Sequence, residues 1–330
     1  MLNASVLSED PAANLQLALG VELAVLPPYL YALWSIKPAA DGASEAALQA
    51  ANSIRAVVYE EMLHAGLVGN LLNAIGTRPQ MLEHLVTYPG PLPGHTTDPP
   101  YAYDVGLGPL STTTVATFLK IERPDWEPPV TAGDWITIAD LYDKVKRQLA
   151  HLPVGGFRGG HQLPQGDNPG PGELIDVVDL QSALDAIETV IDQGEGHRPK
   201  SQDDPAAESD DDHEVAHYYQ FQTISQYLSD GLISPERDLY PMIENPNAGE
   251  YTTQQKAANL EFNQAYTALL DSLQETFSSD APRAFGPPVQ FMLQLEHLAA
   301  VLRNTGVVRG SPALPGPTFE YLGNRTPAEG

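Results

Sequence analysis

Apolar residues recur at intervals of three and four along several long stretches of the chain, the spacing of helices rather than strands. The first stretch, residues 10–36, carries Leu15, Leu19, Val25, Leu26 and Tyr29. Pro27-Pro28 interrupts it, and proline removes a helical hydrogen bond and clashes with the preceding turn. The pattern resumes through Tyr29, Leu30 and Leu33, which predicts a helix distorted at the prolines. Asp41-Gly42-Ala43-Ser44 reads as a turn, with Ser44 as N-cap of a second helix. That helix bears Ile54, Val57, Val58, Ala65, Val68, Leu71, Leu72 and Ile75 on one face, ends at Gly76, and has Pro79 beyond it as a stop.

Residues 84–137 are rich in proline, glycine and threonine and read as long loop, with a short helix over Thr112–Ile121. Residues 136–149 form an amphipathic helix through Ile138, Leu141, Tyr142, Val145 and Leu149. A Gly/Pro-rich loop follows over 152–172. Its Gly155-Gly156-Phe157-Arg158-Gly159-Gly160 run is not a phosphate loop, since no strand precedes it and no Gly-Lys-Ser/Thr follows. A third long pattern covers 174–193, a fourth starts near Asp212 and reaches Leu228, and two more cover 252–278 and 287–304.

Against this background a few polar residues stand on apolar faces. In Tyr59-Glu60-Glu61-Met62-Leu63-His64, Glu61 and His64 share the buried face of the second helix, and Glu22 lies among the apolar positions of the first. Glu214-Val215-Ala216-His217 repeats the Glu-x-x-His spacing, with Phe221, Ile224 and Leu228 continuing its face. On the third long pattern Glu188 and Glu195 each follow an apolar residue by four, so either can face inward. A carboxylate buried alone is costly and takes a cation, hydrogen bonds or a metal as partner. In chain order the set is Glu, Glu-x-x-His, Glu, Glu-x-x-His, the carboxylate and imidazole set that holds two metal ions inside four-helix bundles. The bland alternative is two buried Glu–His pairs that only specify packing. Glu296 and His297 are adjacent, about 100° apart on a helix, and read as surface or packing residues rather than a ligand pair.

Composition narrows the chemistry. The chain has 330 residues, 42% of them hydrophobic, which is enough for a sizeable core. With 17 Lys and Arg against 43 Asp and Glu, the net charge is -26, which disfavours nucleic acid and anionic membranes. There are no cysteines, so any metal is held by carboxylate and imidazole rather than thiolate. No signal peptide is expected from Met1-Leu2-Asn3-Ala4-Ser5, and no apolar run reads as membrane-spanning, so a cytoplasmic location is expected.

Several motifs together resemble a known family: Pro28-Tyr29-Leu30-Tyr31-Ala32-Leu33-Trp34-Ser35-Ile36, Glu60-Glu61-Met62-Leu63-His64, Asn70-Leu71-Leu72-Asn73-Ala74-Ile75-Gly76, Ile121-Glu122-Arg123-Pro124, Gln193-Gly194-Glu195-Gly196 and Glu214-Val215-Ala216-His217-Tyr218-Tyr219. They are similar to the ferritin-like domain of the iminophenyl-pyruvate dimer synthase of violacein biosynthesis and its stand-alone homologues. The likeness covers about residues 14–228, and Phe262-Asn263-Gln264-Ala265-Tyr266 extends it. It implies a carboxylate-rich metal site in a ferritin-like bundle and favours Glu195 over Glu188. The violacein enzyme is far longer, so its synthase activity carries over less well than its fold.

The expectation is an all-α, ferritin-like four-helix bundle with long loop insertions and additional C-terminal helices. As one domain over 1–330 it would comprise a bundle core of 10–76 and 174–230, a loop-rich insertion 84–172, a helical extension 231–305 and an irregular tail 306–330. Its expected metal ligands are Glu22, Glu61, His64, Glu195, Glu214 and His217, with Tyr29, Glu60 and Tyr218 as supporting or catalytic groups. Two irons would occupy it, although manganese suits the same ligands. The expected activity is a di-iron oxidation, using dioxygen or peroxide, of a small organic, amino-acid-derived substrate in specialised metabolism. A metal-binding or storage bundle without catalysis is the rival. The partners expected are the small molecule and dioxygen, neither nucleic acid nor membrane, with assembly into a homo-oligomer left open.

Overall fold

Every residue from Asn14 to Ser35 is buried, so the first helix has no outer face. This is α1 (Pro11–Ser35), capped by Asp10, whose side chain accepts from Ala12 N, and opened by Pro11 at the position where a missing N–H costs nothing. The computed structural model describes residues 2–95, 103–124, 135–166, 172–194, 196, 215–279 and 286–323. Helix α2 (Glu45–Ala74) runs back along α1 and starts where expected, with Ser44 accepting from Ala47 N. Gln16 near the start of α1 exchanges hydrogen bonds with the backbone of Gln80 beyond the end of α2, at 2.8 and 2.9 Å. At that end Gly76 takes a positive φ of 84°, and Gly76 N and Thr77 N close back onto the Asn73 and Leu72 carbonyls, which caps the last turn.

The remaining helices are α3 (Thr112–Ile121), α4 (Ile138–Leu149), α5 (Leu180–Gly194), α6 (His217–Ser229), the single turn α7 (Pro235–Asp238), α8 (Thr253–Ser278) and α9 (Gly286–Arg303). Strands β1 (Leu2–Asn3) and β2 (Trp135–Ile136) form a two-residue antiparallel pairing, with Leu2 opposite Ile136. Among the described residues the chain is otherwise helix and loop.

Four short helices divide the length of the α1–α2 pair between them. Helices α3 and α6 pack on the C-terminal half of α1, where the Tyr29 ring meets Phe118 at 4.6 Å and Phe221 at 5.1 Å. Helices α4 and α5 lie along the other half: Asn14 bonds Gln148 at 2.9 Å, and Lys146 on α4 reaches Glu188 on α5 at 3.1 Å. Two of these four, α3 and α4, come from the loop-rich stretch 84–172. Glu22 and Glu61 sit near the middle of α1 and α2, where the two sets of short helices meet.

Several local expectations change. Helix α1 runs unbroken through Pro27 and Pro28. Pro28 leaves the Ala24 carbonyl without its helical donor, and the Tyr88 hydroxyl supplies one at 2.5 Å. Helix α1 is also long and apolar enough to cross a membrane, contrary to the reading that no stretch is; its burial on all sides accounts for that apolarity. Helix α5 starts at Leu180 rather than 174, because Asp179 Oδ1 and Ser182 N close its first turn at 2.9 Å and the preceding residues 174–177 instead serve as hydrogen-bond partners for α2 and the loop before them. Helix α6 starts at His217, not near Asp212: Ala216 is extended, with φ −55° and ψ 151°, and Val215 is exposed. The helix begins where its buried face begins.

Among the described residues after 306 there is no regular element, as expected, yet they are pinned. Thr318 N, Glu320 N and Leu322 N donate to Asn259 Oδ1, Asn263 Oδ1 and Thr267 Oγ1 at 3.1, 3.1 and 2.9 Å, three α8 residues one turn apart. Between them Phe319 stacks on Trp34 at the end of α1, with ring centroids 5.8 Å apart and planes within 7°.

Candidate metal centre

Glu61 stands at the centre of the buried cluster. Its Oε2 lies 3.5 Å from His64 Nδ1 one turn along α2, and its Oε1 lies 3.1 Å from His217 Nδ1 at the start of α6. Glu22 from α1 approaches His64 Nδ1 at 3.5 Å, and Glu122 at the C-cap of α3 approaches His217 Nδ1 at 3.6 Å. Two groups result, Glu22–Glu61–His64 and Glu61–Glu122–His217, each with ligand atoms within 4.8 Å of one another. They share Glu61. The two imidazoles lie nearly parallel, 5.4 Å apart.

The outer face of each ligand is held by protein. His64 Nε2 is 3.0 Å from Gln193 Oε1, and His217 Nε2 is 2.8 Å from Glu60 Oε2. Both acceptors fix a proton on Nε2 and leave Nδ1 as the nitrogen that faces the cluster. Tyr142 on α4 donates to Glu22 Oε1 at 2.6 Å, and the Tyr29 hydroxyl makes a short hydrogen bond to Glu122 Oε1.

The electrostatics call for cations. Glu22, Glu60, Glu61 and Glu122 are all buried, and no lysine or arginine is among the described residues that line the cavity. Burial raises the Glu22 carboxyl to about 7, and the Glu61 charge adds to this. Burial opposes a charged His64, but the Glu22 and Glu61 carboxylates outweigh it and hold the imidazole up at about 10. Without a metal the cluster therefore retains protons, and a metal bound at these nitrogens and oxygens has to displace them. Glu61 Oε2 and His217 Nδ1 are buried without a hydrogen-bond partner; the latter is close to Glu61 Oε1 but not in bonding geometry. Such orphaned atoms cost about 1–3 kcal/mol each unless something satisfies them. Four buried carboxylates balance the charge of two divalent cations, and a donor set of oxygen and imidazole suits iron or manganese. The residues present fit two metals.

Of the residues expected from the sequence, Glu22, Glu61, His64 and His217 come together, Glu60 backs His217, and Tyr29 backs Glu122. Glu195 and Glu214 lie outside the described residues. Glu188, the alternative on the same helix, points outward to Lys146 and joins neither group. Tyr218 is half-buried with its ring edge-on to Tyr219 and does not line the cavity. Three participants went unassigned: Glu122, Tyr142 and Gln193. Glu122 carried a signal, since it follows Phe118 by four on the buried face of α3. The cavity beside the cluster is small, about 20 Å³, and its other walls are apolar: Val21 and Val25 of α1, Ile138 of α4, Val190 and Ile191 of α5.

Comparison with known proteins agrees with this architecture. A sequence model of the family described as Ferritin-like matches residues 15–226. The chain is 31% identical over 281 residues to the 2-imino-3-(indol-3-yl)propanoate dimerase of Chromobacterium violaceum, covering 75% of this chain and 26% of that protein. It is 25% identical over 335 residues to the dichlorochromopyrrolate synthase of Lentzea aerocolonigenes, covering 81% of this chain and 31% of that one. The chain thus spans about a quarter to a third of the length of these curated relatives. The crystal structure of a ferritin-like protein from Caulobacter vibrioides shares the fold, with a TM-score of 0.61 and 24% identity over 93% of this chain and 97% of that one. With a helical bundle around a carboxylate and imidazole cluster, and a family match across most of that bundle, the chain belongs to the ferritin-like family.

Proposed function

We propose that the chain is a non-haem di-iron oxidoreductase acting on a small, amino-acid-derived molecule in specialised metabolism. The observation that carries the reading is the pair of ligand groups sharing Glu61, with two imidazole Nδ1 atoms and three carboxylates converging where the described lining residues include no lysine or arginine. Glu22, Glu61, His64, Glu122 and His217 would hold the metals, and manganese suits the same donors. Iron held there would supply redox chemistry toward dioxygen or peroxide, and so the oxidising power for the organic substrate.

The protein's own contribution is to fix and dry the site. Glu60 and Gln193 keep the Nε2 protons in place, so Nδ1 is the nitrogen each imidazole would offer a metal once its own proton is displaced. Tyr142 and Tyr29 hold Glu22 and Glu122 by single hydroxyls, each leaving the second carboxylate oxygen to the cluster. The valines and isoleucines of the cavity exclude water and favour an apolar approach. The amino-acid-derived substrate class is supported by the two relatives, whose names specify a 2-imino-3-(indol-3-yl)propanoate dimerase and a dichlorochromopyrrolate synthase.

The test is metal analysis of protein purified without added metal and after anaerobic reconstitution with ferrous iron, followed by dioxygen uptake with and without aromatic amino-acid-derived imines. Two irons per chain and uptake that depends on the organic molecule are expected. Iron binding with no such dependence indicates a store rather than an enzyme. No iron after reconstitution removes the reading.

A further inference from the structure

We propose that the two metal positions are inequivalent, and that the Glu61–Glu122–His217 position binds its divalent cation first and more tightly because a carboxylate, Glu60, stands behind His217 where a neutral amide, Gln193, stands behind His64. This rests on the two-metal reading above and goes beyond it by ranking the positions.

Among the described residues the positions match in most respects. Each takes one oxygen of Glu61, one further glutamate steadied by a tyrosine hydroxyl, and one imidazole Nδ1. Each imidazole is buried and gives its Nε2 proton to an acceptor, at 2.8 Å for His217 and 3.0 Å for His64. The acceptors differ in charge. A carboxylate behind a ligating histidine draws on the Nε2 proton, makes Nδ1 a stronger donor, and adds a full negative charge beside the cation. A glutamine orients the ring equally well without that charge. Helix ends do not reverse the ranking. The start of α6 at His217 brings about half a positive charge to this position, and the end of α3 at Glu122 brings about half a negative one, so the two nearly cancel.

Glu60 is thus a positioning residue with an electronic effect, and Glu60→Gln separates the two parts, because glutamine can still accept from Nε2. The experiment is manganese binding to the full chain, followed by calorimetry and by the electron paramagnetic signal of free Mn²⁺. Manganese is the weakest-binding ion of the first-row divalent series, which keeps both steps measurable. The wild-type chain should bind two ions in distinct steps. Glu60→Gln should weaken the tighter step by about 10- to 100-fold and leave the other largely unchanged. Gln193→Glu adds a charge instead of removing one and should tighten the weaker step. His217→Ala should abolish the tight step, and His64→Ala the weak one. Circular dichroism of each metal-free variant checks folding independently. The inference is overturned if Glu60→Gln leaves the tight step unchanged, if His64→Ala is the variant that removes it, or if the wild-type steps are identical. A wild-type chain that binds no manganese and no iron would instead overturn the two-metal reading, and this ranking with it.

Discussion

The Tyr142 hydroxyl donates to Glu22 Oε1 at 2.6 Å, so α4 is joined to α1 through a carboxylate of the metal cluster. Tyr142→Phe keeps the ring and removes the donor, leaving a buried carboxylate oxygen unpaired. A loss of about 1–3 kcal/mol is expected in urea unfolding of the metal-free protein, together with weaker metal binding. A variant as stable as wild type that also binds metal equally would show that the hydroxyl does neither.

Glu122 and Glu188 make a contrasting pair. Glu122 is buried beside His217, whereas Glu188 faces solvent and Lys146. Glu122→Gln is expected to reduce metal content by about one ion per chain, and Glu188→Gln to leave it unchanged, by mass spectrometry after reconstitution. The reverse result would make Glu188, not Glu122, the ligand.

Metal removal should also register as stability. A ligand that binds only the folded chain stabilises it by about 2.7 kcal/mol at a free concentration 100 times its dissociation constant. The melting temperature should therefore fall on chelation and recover with ferrous or manganous ion. Equal melting curves would argue against a resident cation.

Asp238 gives the pH dependence a definite sign. Its buried carboxylate accepts from Arg237, from Ser234 N at 2.7 Å and from Ser44 N at 2.7 Å, which ties the turn before α2 to α7. Burial alone would raise this carboxyl, but Arg237 and the two backbone amides outweigh it and hold it well below the usual carboxylate range. A lowered folded value means the contribution is complete above about pH 4, the ordinary aspartate value, and fades as pH falls toward the folded one. Asp238→Asn should cost about 1–3 kcal/mol at pH 7, and the gap from wild type should narrow at pH 3. A gap independent of pH would contradict this account.

Gly69 on α2 lies against the Phe277 ring of α8; an added Cβ would come within 2.3 Å of it. Phe277 is buried and cannot swing away freely. Gly69→Ala should therefore destabilise by about 1–3 kcal/mol despite alanine's better helix propensity. A neutral or stabilising effect in thermal unfolding would mean the ring yields.

Much of this was readable in the sequence because burial writes itself as period. The ends of α2 followed from apolar spacing and capping residues, those of α8 and α9 from spacing to within a residue, and Glu22, Glu61, His64 and His217 were visible as polar residues on apolar faces. What remained hidden depends on which helices meet. Glu122 caps a helix of ten residues inside a loop-rich stretch, and although it follows Phe118 by four, nothing local shows that this end of α3 meets His217. Gln193 and Tyr142 matter only because α5 and α4 set them against His64 and Glu22, and no local pattern encodes that pairing. The start of α6 was misplaced because the Glu-x-x-His spacing suggested helix where Ala216 is extended.

The complete burial of α1 has a consequence for how the chain tolerates change. An ordinary surface helix alternates strict and permissive positions, and α4 should behave so, with Leu141, Tyr142, Val145 and Leu149 constrained and the side chains between them free. Helix α1 has no such rhythm, since from Asn14 onward each side chain meets protein. In a saturating substitution scan its profile should be flat and intolerant, without a 3.6-residue wave, so that charged replacements fail on every side of it. The three glutamates and two histidines of the centre would then stand in a chain whose least replaceable segment is mostly aliphatic, and whose chemistry depends on a rod that cannot turn any face outward.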